Sequence, residues 1–161
     1  ETHKLSIPHL LAQGGTTRFL SVKNGLAKAV NSDVVGVHDG VRPFASKQVI
    51  DACFEKAGQN GAAIPVVPIV QSLRAVQNGQ SNAVDRSNYR AVQTPQCFRT
   101  DTLKEAFAQA DRVDYSDDAT VVEEYGQSIS MVNGNTENIK ITTPLDLQLA
   151  QLIIAGQSNS N

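Results

Sequence analysis

The sequence predicts an α/β fold of three layers, in which helices cover both faces of a mostly parallel sheet. Apolar segments of strand length alternate along the chain with segments whose apolar residues recur every three or four positions. The strand segments are apolar on both faces, which is typical of a sheet with helices on both sides. A chain of 161 residues fits a single domain, residues 1–161.

The first half of the chain supplies two predicted helices and two predicted strands. Apolar residues at positions 19, 22, 26 and 30 indicate a helix from Thr17 to about Asn31. Residues 33–37 form the first strand, and Ser46 is the predicted N-cap of the second helix. Residues 62–70 form the second strand, which two prolines restrict to a sheet edge or an irregular path.

Residues from about 70 to 90 differ from the rest of the chain. They hold short alternating runs around Asn78-Gly79, a strong hairpin signal, and too few apolar residues for a core. We therefore predict a projecting β-hairpin arm that rests on a second subunit.

The second half continues the alternation. A short strand lies within "RAVQTPQCF", and a helix begins at Thr100 or Thr102. Ser116 is the predicted cap of a further helix, "SISMV" is a strand, and "NIKIT" is a short strand. Thr143-Pro144 begins the final helix as N-cap and first helical residue.

Composition limits the possible partners and locations. The formal net charge is −2, which gives no reason to expect a nucleic-acid surface. No apolar run approaches the roughly 20 residues of a membrane helix. The two cysteines form neither a metal-binding spacing nor a disulfide framework, so a reducing, cytoplasmic location is expected.

Polar residues at the ends of predicted strands are the candidates for a site, because ligands of such folds bind at the carboxyl ends of the strands. Asp39 and Arg42 follow the first strand, and Lys140 lies within "NIKIT". Each has a plainer interpretation: Asp39-Gly40 is also a common turn, and Lys140 could be an exposed strand lysine. Ser116 could be a helix cap alone, and Arg86 a solvated charge on the arm.

Taken together, these residues indicate phosphate chemistry. Arg18, Arg42, Arg86 and Lys140 are cations, and Asp39 is an acid able to hold Mg²⁺. No covalent nucleophile stands beside a base in the pattern. The residues alone predict phosphoryl or nucleotidyl transfer.

The order of several strings extends this prediction. "GG-TTR-FLSVKNGL", "VHDGVRPF", "VDRSNYRAVQTPQCF", "YSDDATVVEEYG" and "NIKITTPLDLQLA" occur in this order between about residues 14 and 150. The chain thereby resembles the 2-C-methyl-D-erythritol 4-phosphate cytidylyltransferase family. The resemblance implies a Rossmann-like nucleotidyltransferase fold, Mg²⁺, and a homodimer in which each arm reaches the other subunit's site. It also implies transfer of CMP from CTP to methylerythritol phosphate with release of pyrophosphate.

The resemblance further implies roles on the nucleotide side of the site. Gly15 and Ser21 would lie at the cytosine. Asp39 would face Mg²⁺ and the phosphates, with Arg42 beside it. Lys140 would stabilise the charge that develops at the α-phosphorus.

On the side of the second substrate, the resemblance implies four further residues. Ser72 and Arg86 on the arm would bind the substrate phosphate in the partner subunit's site. Thr94 and Ser116 would complete the methylerythritol phosphate pocket.

The sequence departs from the family pattern in two places. Gln71-Ser72 stands where the family usually has Asp-Thr, so the hydroxyl is kept and a charge is lost. The N-terminal strand and the glycine-rich loop that wraps the CTP triphosphate in the family have no counterpart in this sequence, which predicts either a truncated molecule or a piece of a longer protein. Two alternatives therefore accompany the prediction: a ribitol-5-phosphate cytidylyltransferase, and a non-catalytic fragment of such an enzyme.

Overall fold

The structure is a computed structural model that describes residues 6–158. These residues contain five α-helices and seven β-strands. In chain order the elements are α1 (Arg18–Leu26), β1 (Val34–Val37), α2 (Lys47–Asn60), β2 (Ala62–Pro68), β3 (Leu73–Gln77), β4 (Gln80–Val84), β5 (Arg90–Val92), β6 (Gln96–Arg99), α3 (Thr100–Gln109), α4 (Asp118–Glu124), β7 (Ser130–Asn133) and α5 (Pro144–Ser158).

The main sheet is mixed. Strand β6 lies between β1 and β2 and is antiparallel to both, β5 is antiparallel to β2, and β7 is parallel to β2. The α/β class is thus confirmed, but the sheet is not mostly parallel as predicted. The reason is that the chain leaving β2 returns through a hairpin, without the crossover helix that a parallel neighbour needs.

Strands β5 and β6 form one bulged path along β2. Val92 lies opposite Val66 and Cys97 lies opposite Ala63, so four residues, 93–96, face two residues of β2. Pro65 of β2 accepts a hydrogen bond from the Gln93 N–H at this bulge (2.8 Å). Within a strand, the backbone N and O of one residue point to the same edge. Because the Pro65 carbonyl points to the bulge, the position at which this proline lacks an N–H also faces the bulge. Strand β2 is therefore not an edge strand, and the bulge accommodates its proline.

Helices cover both faces of the sheet, so the predicted three layers are confirmed. Helix α2 packs Cys53 and its neighbours on the face that carries Ala63 and Cys97. Helices α1, α3 and α4 pack on the opposite face, around Phe98 and a stacked pair of rings, Phe19 and Phe107. Cys97 and Phe98, which are adjacent in β6, thus pack in different hydrophobic cores, because successive side chains of a strand point to opposite faces of the sheet.

The predicted hairpin is present as a separate two-stranded sheet of β3 and β4. Asn78 and Gly79 at its turn have φ values of 51° and 77°, the left-handed conformation that a tight hairpin turn requires. Most residues of both strands are exposed. At the base of the hairpin, the Arg86 guanidinium donates a hydrogen bond to the Val70 carbonyl.

Two predicted element boundaries are wrong. Helix α1 ends at Leu26 rather than near Asn31, and Val30 is exposed. Asp117, rather than Ser116, caps α4 by accepting a hydrogen bond from the Thr120 N–H (3.1 Å), since aspartate caps a helix as well as serine does.

The predicted strand "NIKIT", residues 138–142, is also wrong. These residues form no strand. The Ile141 N–H instead donates to the Val41 carbonyl, so the apolar alternation belongs to a segment that packs on a loop. The final helix begins at Pro144 as predicted, and the Thr143 hydroxyl accepts a hydrogen bond from the Asp146 N–H. Within residues 6–158, no helix has both the length and the apolar character needed to cross a bilayer.

Candidate active site

Asp39 is the centre of a charged cluster at the carboxyl end of β1. Its carboxylate lies 3.2 Å from Lys140 Nζ, 3.3 Å from Arg42 Nε and 3.9 Å from Arg18 Nε. The three cations come from α1, from the loop after β1 and from the segment before α5. The three cations around Asp39 are groups that could bind the oxygens of a phosphate ligand.

A polar cleft of about 320 Å³ opens beside this cluster. It is lined by Arg18, Asp39, Arg42, Val92, Gln93, Thr94, Gln96, Ser116, Asp117 and Lys140. The loop after β1, the β5–β6 bulge, the start of α4 and the segment before α5 all meet there. With Arg18 from α1, the cleft thus collects side chains from five separate parts of the sequence.

The environment of Asp39 favours its ionised form. Burial of the carboxyl works to raise its pKa, but the hydrogen bond and charge of Lys140, with contributions from Arg42 and Arg18, lower it. The net result is a pKa below the usual value. The carboxylate is therefore charged at neutral pH and able to contact a cation.

The loop that carries Asp39 is both a turn and part of the cleft. The Arg42 N–H donates to the Asp39 carbonyl (3.0 Å), which closes the turn that the sequence allowed as an alternative. The Asp39 N–H donates to Thr94 Oγ1 (3.0 Å), and the same hydroxyl lies 2.9 Å from His38 Nδ1. The His38 ring also contacts the Arg42 carbonyl (2.8 Å). His38 is thus a structural residue of this turn.

Arg18 reaches the cleft because Asp118 holds it. Both terminal nitrogens of Arg18 donate to the two oxygens of Asp118, at 2.8 and 2.5 Å. The Asp118 side chain is 1% exposed and that of Arg18 is 31% exposed. Burial raises the pKa of Asp118 above its usual value, against the lowering effect of Arg18, while hydrogen bonding to Asp118 raises the pKa of Arg18.

The start of α4 is fixed by Gln96, a buried residue of β6. Its Oε1 accepts hydrogen bonds from the N–H groups of Asp118 (3.1 Å) and Ala119 (2.9 Å), and its Nε2 donates to Asp117 Oδ2 (2.9 Å). Gln96, Asp117 and Asp118 are not among the site residues predicted from the sequence. The only signals in the sequence are that Asp117 and Asp118 follow Ser116 and that Gln96 follows Pro95.

Five of the nine predicted site residues line the cleft: Asp39, Arg42, Thr94, Ser116 and Lys140. Ser116 is exposed there, whereas Thr94 is buried. The other four lie elsewhere in the described part of the chain.

Gly15 and Ser21 contact each other ahead of and within α1. The Gly15 N–H donates to Ser21 Oγ (2.9 Å), and a Cβ at Gly15 would lie 2.3 Å from the Leu20 Cβ. A glycine is therefore needed for the chain to pass so close to α1. Ser72 and Arg86 are exposed at the base of the arm and do not line the cleft of their own chain.

Few side chains of the cleft could coordinate a metal ion. Within residues 6–158, no three His, Cys, Asp or Glu side chains are grouped so that they could hold a metal ion by themselves. Asp117 also lines the cleft, but its two oxygens accept hydrogen bonds from Thr120 and Gln96. Asp39 is the carboxylate of the cleft that is paired with cations alone.

Comparison with known proteins connects this geometry to one family. The family model described as 2-C-methyl-D-erythritol 4-phosphate cytidylyltransferase matches residues 2–156. The protein of that name from Phocaeicola vulgatus is 48% identical over 154 residues, which cover 96% of this chain and 70% of the relative. The Bacteroides thetaiotaomicron protein is 49% identical with the same coverage.

Solved structures agree with the sequence matches. The 2-C-methyl-D-erythritol 4-phosphate cytidylyltransferase of Thermus thermophilus superimposes with a TM-score of 0.82 at 40% identity, covering 89% of this chain and 72% of that chain. The Francisella tularensis enzyme of the same name has a TM-score of 0.79 at 30% identity, covering 92% of this chain and 74% of that chain. These names do not favour the ribitol-phosphate alternative. The chain belongs to the 2-C-methyl-D-erythritol 4-phosphate cytidylyltransferase family.

Proposed function

We propose that this chain transfers CMP from CTP to 2-C-methyl-D-erythritol 4-phosphate and releases pyrophosphate. The observation that carries the proposal is the cluster of Lys140, Arg42 and Arg18 around Asp39 at the end of β1. Family membership supplies the identity of the two substrates. The cleft beside the cluster supplies polar groups for them.

The reaction is a direct in-line displacement. An oxygen of the methylerythritol phosphate forms a bond to the α-phosphorus of CTP, and the bond from that phosphorus to the pyrophosphate oxygen breaks. The attacking phosphate is already an anion, so no general base is required. Catalysis then consists of positioning the reactants and stabilising negative charge.

Lys140 is the cation assigned to the α-phosphorus. Its Nζ lies at the edge of the cleft with about half of its side chain exposed, so it can move from Asp39 to a phosphate oxygen. Arg42 is held more tightly, since its Nη1 also donates to the Asn138 carbonyl (2.8 Å). We therefore assign Arg42 to fixing Asp39 and Lys140 to the charge that develops during transfer.

Mg²⁺ fits this site as an ion bound jointly by protein and substrate. Magnesium sites of phosphate-transferring enzymes use one or two carboxylates together with substrate phosphates, and Asp39 offers one such carboxylate. When bound, the ion would neutralise charge on the triphosphate. Asp39 would hold it, and Arg18 and Lys140 would bind phosphate oxygens.

Gly15 and Ser21 are assigned to the cytosine side. Their contact fixes the chain just before α1, the helix whose first residue is Arg18. A nucleotide that reaches from this chain segment to Asp39 would pass along Arg18. The assignment rests on the family motif and on this order along the chain.

The second substrate is assigned to Thr94 and Ser116 in the cleft and to Ser72 and Arg86 of a partner subunit. Ser72 and Arg86 are exposed on the arm and away from their own cleft, which supports a role in another subunit's site. Exposed apolar side chains on and beside the arm, Val70 and Val76, support a homodimer contact there. A cytoplasmic location is proposed because Cys53 and Cys97 are free.

The test of the activity is pyrophosphate release from CTP and Mg²⁺ with either methylerythritol phosphate or ribitol 5-phosphate. Release with methylerythritol phosphate alone is expected. Release with ribitol phosphate alone would replace the proposed substrate, and release with neither would show that this chain is a non-catalytic fragment. Repeating the assay with EDTA tests the metal, and activity that persists without Mg²⁺ would contradict it.

The test of the shared site is a mixture of two inactive variants, Lys140→Ala and Arg86→Ala. If the arm of one subunit completes the site of the other, a mixed dimer contains one intact site, and mixing restores activity. If each arm serves its own chain, the mixed dimer carries one defect in each of its sites and mixing restores nothing. Sedimentation velocity measures the dimer itself, and a monomer would contradict the proposal directly.

A further inference from the structure

The position of Lys140 is not set by the sheet. Residues 138–141 form no strand, and their backbone contacts are short-range turns plus one hydrogen bond from the Ile141 N–H to the Val41 carbonyl. A ladder of hydrogen bonds therefore does not fix the distance of 3.2 Å between Lys140 and Asp39. The Ile141–Val41 hydrogen bond ties the residue after Lys140 to the loop of Asp39, so a hold on the residues before Lys140 must come from another group.

Asn138 is the residue that holds it. Its side-chain Nδ2 donates to the Thr94 carbonyl in the bulge at 2.8 Å. Its own carbonyl accepts from Arg42 Nη1 at 2.8 Å and from Gln93 Nε2 at 3.3 Å. One residue thus joins the segment of Lys140 to the loop of Asp39 and to the bulge.

The burial of Asn138 shows that packing alone does not explain it. The residue is 0% exposed, and its Oδ1 has no hydrogen-bond partner among the described residues. A buried polar atom without a partner is a cost that folds normally avoid. An apolar side chain of similar size would avoid this cost, but it would lose the donor to Thr94. Asn138 therefore contributes the amide donor to the Thr94 carbonyl and, through that hydrogen bond, the position of its segment.

We propose that Asn138 is a positioning residue for the transfer reaction, which places the Lys140 amine against Asp39 by joining residues 138–140 to Arg42 and Thr94. It touches neither substrate and acts through Lys140. The inference deepens the proposed function and rests on it for the catalytic consequence. The position of Lys140 relative to Asp39 can be tested whether or not the chain is active.

The first measurement is structural. Crystal structures of the unsubstituted protein and of Asn138→Ala are compared at the Lys140–Asp39 contact. We expect the contact to be present in the first and lost in the second. Retention of the contact in Asn138→Ala would overturn the proposal whether or not the chain is active, so this result is independent of the proposed function.

The second measurement is kinetic and uses Asn138→Ala, Lys140→Ala and the double variant. We expect kcat to fall by about 100-fold in Asn138→Ala, the size of effect that a misplaced catalytic group produces, with the KM for CTP unchanged. Because Asn138 acts through Lys140, the double variant should be no slower than Lys140→Ala. Multiplying losses in the double variant would overturn the positioning role.

The control is Leu103→Val, which removes one methylene from the buried core at α3, away from the cleft. It should lower Tm and leave kcat unchanged. If it lowers kcat as much as Asn138→Ala does, reduced stability explains both losses and the proposal fails. Should Asn138→Ala not fold, Asn138→Ser gives the same comparison, because its shorter side chain no longer reaches the Thr94 carbonyl as the amide does.

Discussion

Arg18 and Asp118 form a bidentate ion pair whose acid is buried and whose base still faces the cleft. The two residues lie 100 positions apart in the chain. Through this pair, α4 on one face of the sheet determines where a cation stands beside Asp39. The stability of the core and the charge of the cleft are thus linked by one side chain.

Replacing Asp118 should destabilise the protein. Asp118→Ala leaves the Arg18 guanidinium without its buried partner, and we expect a loss of about 2 kcal/mol in the free energy of unfolding, less than the roughly 3–5 kcal/mol of a fully buried pair because Arg18 is partly exposed. Urea unfolding measures it. The control is Asp51→Ala, since Asp51 pairs with Lys47 on the surface and should change stability little. Equal losses in the two variants would contradict the assigned role of burial.

Lys140→Ala should abolish most activity without unfolding the protein. Loss of one charge that stabilises the transition state costs about 3 kcal/mol of barrier, or about 100-fold in kcat. Pyrophosphate release gives the rate, and circular dichroism verifies the fold. Lys47→Ala, which removes an exposed lysine on α2, is the matched control and should retain activity. A Lys140→Ala variant with near-normal turnover would remove Lys140 from the mechanism.

The stability that Asp39 contributes should depend on pH. The folded-state pKa of Asp39 lies below its reference value of 3.8, so the ionised carboxylate stabilises the fold above that pH and loses the effect as pH falls through the folded pKa. Asp39→Asn should therefore be less stable than the unsubstituted protein at about pH 6, and the difference should shrink below 3.8. Urea unfolding at a series of pH values measures the difference. A stability difference that stays constant down to strongly acidic pH would contradict a stabilising role for the ion pairs of Asp39.

Gly134→Ala should disturb the bulge. A Cβ at Gly134 would lie 2.3 Å from Gln93 Oε1, so the Gln93 side chain would have to leave its contacts with Asn135 and Asn138. We expect a loss of about 1–3 kcal/mol, as for other overpacked sites. Gly25→Ala in α1 is the control, since nothing lies within 4 Å of the added Cβ and alanine is favoured in a helix. Its Tm should rise or stay the same.

Local patterns in the sequence predicted much of the cleft. Asp39 and Arg42 follow an apolar strand, and the rule that ligands bind at strand ends was enough to select them. The hairpin followed from Asn78-Gly79, whose left-handed backbone is a local property. These features depend on residues that are close together in the sequence, so the sequence pattern alone can predict them.

Other features depend on contacts that no local pattern records. Neither the pairing of Arg18 with Asp118 nor the three hydrogen bonds of Gln96 can be inferred from spacing. The direction of β5 and β6 depends on how the chain returns from the arm. The segment at residues 138–142 alternates like a strand but packs on a loop, because its hydrogen bonds go to the loop after β1 and to the β5–β6 bulge rather than to a neighbouring strand.

The assembly of the cleft has a consequence for folding. The contacts that define it join residues far apart in sequence: Asp39 with Thr94 is 55 positions, Arg42 with Asn138 is 96, and Arg18 with Asp118 is 100. Contacts of such separation form only after long loops have closed, so they belong to the late, slow steps of folding. Within the charged cluster, the Asp39–Arg42 pair is local, at three positions apart, whereas Arg18 and Lys140 reach Asp39 from distant parts of the chain. The capacity to bind phosphates should therefore arise in the same cooperative step as the whole sheet.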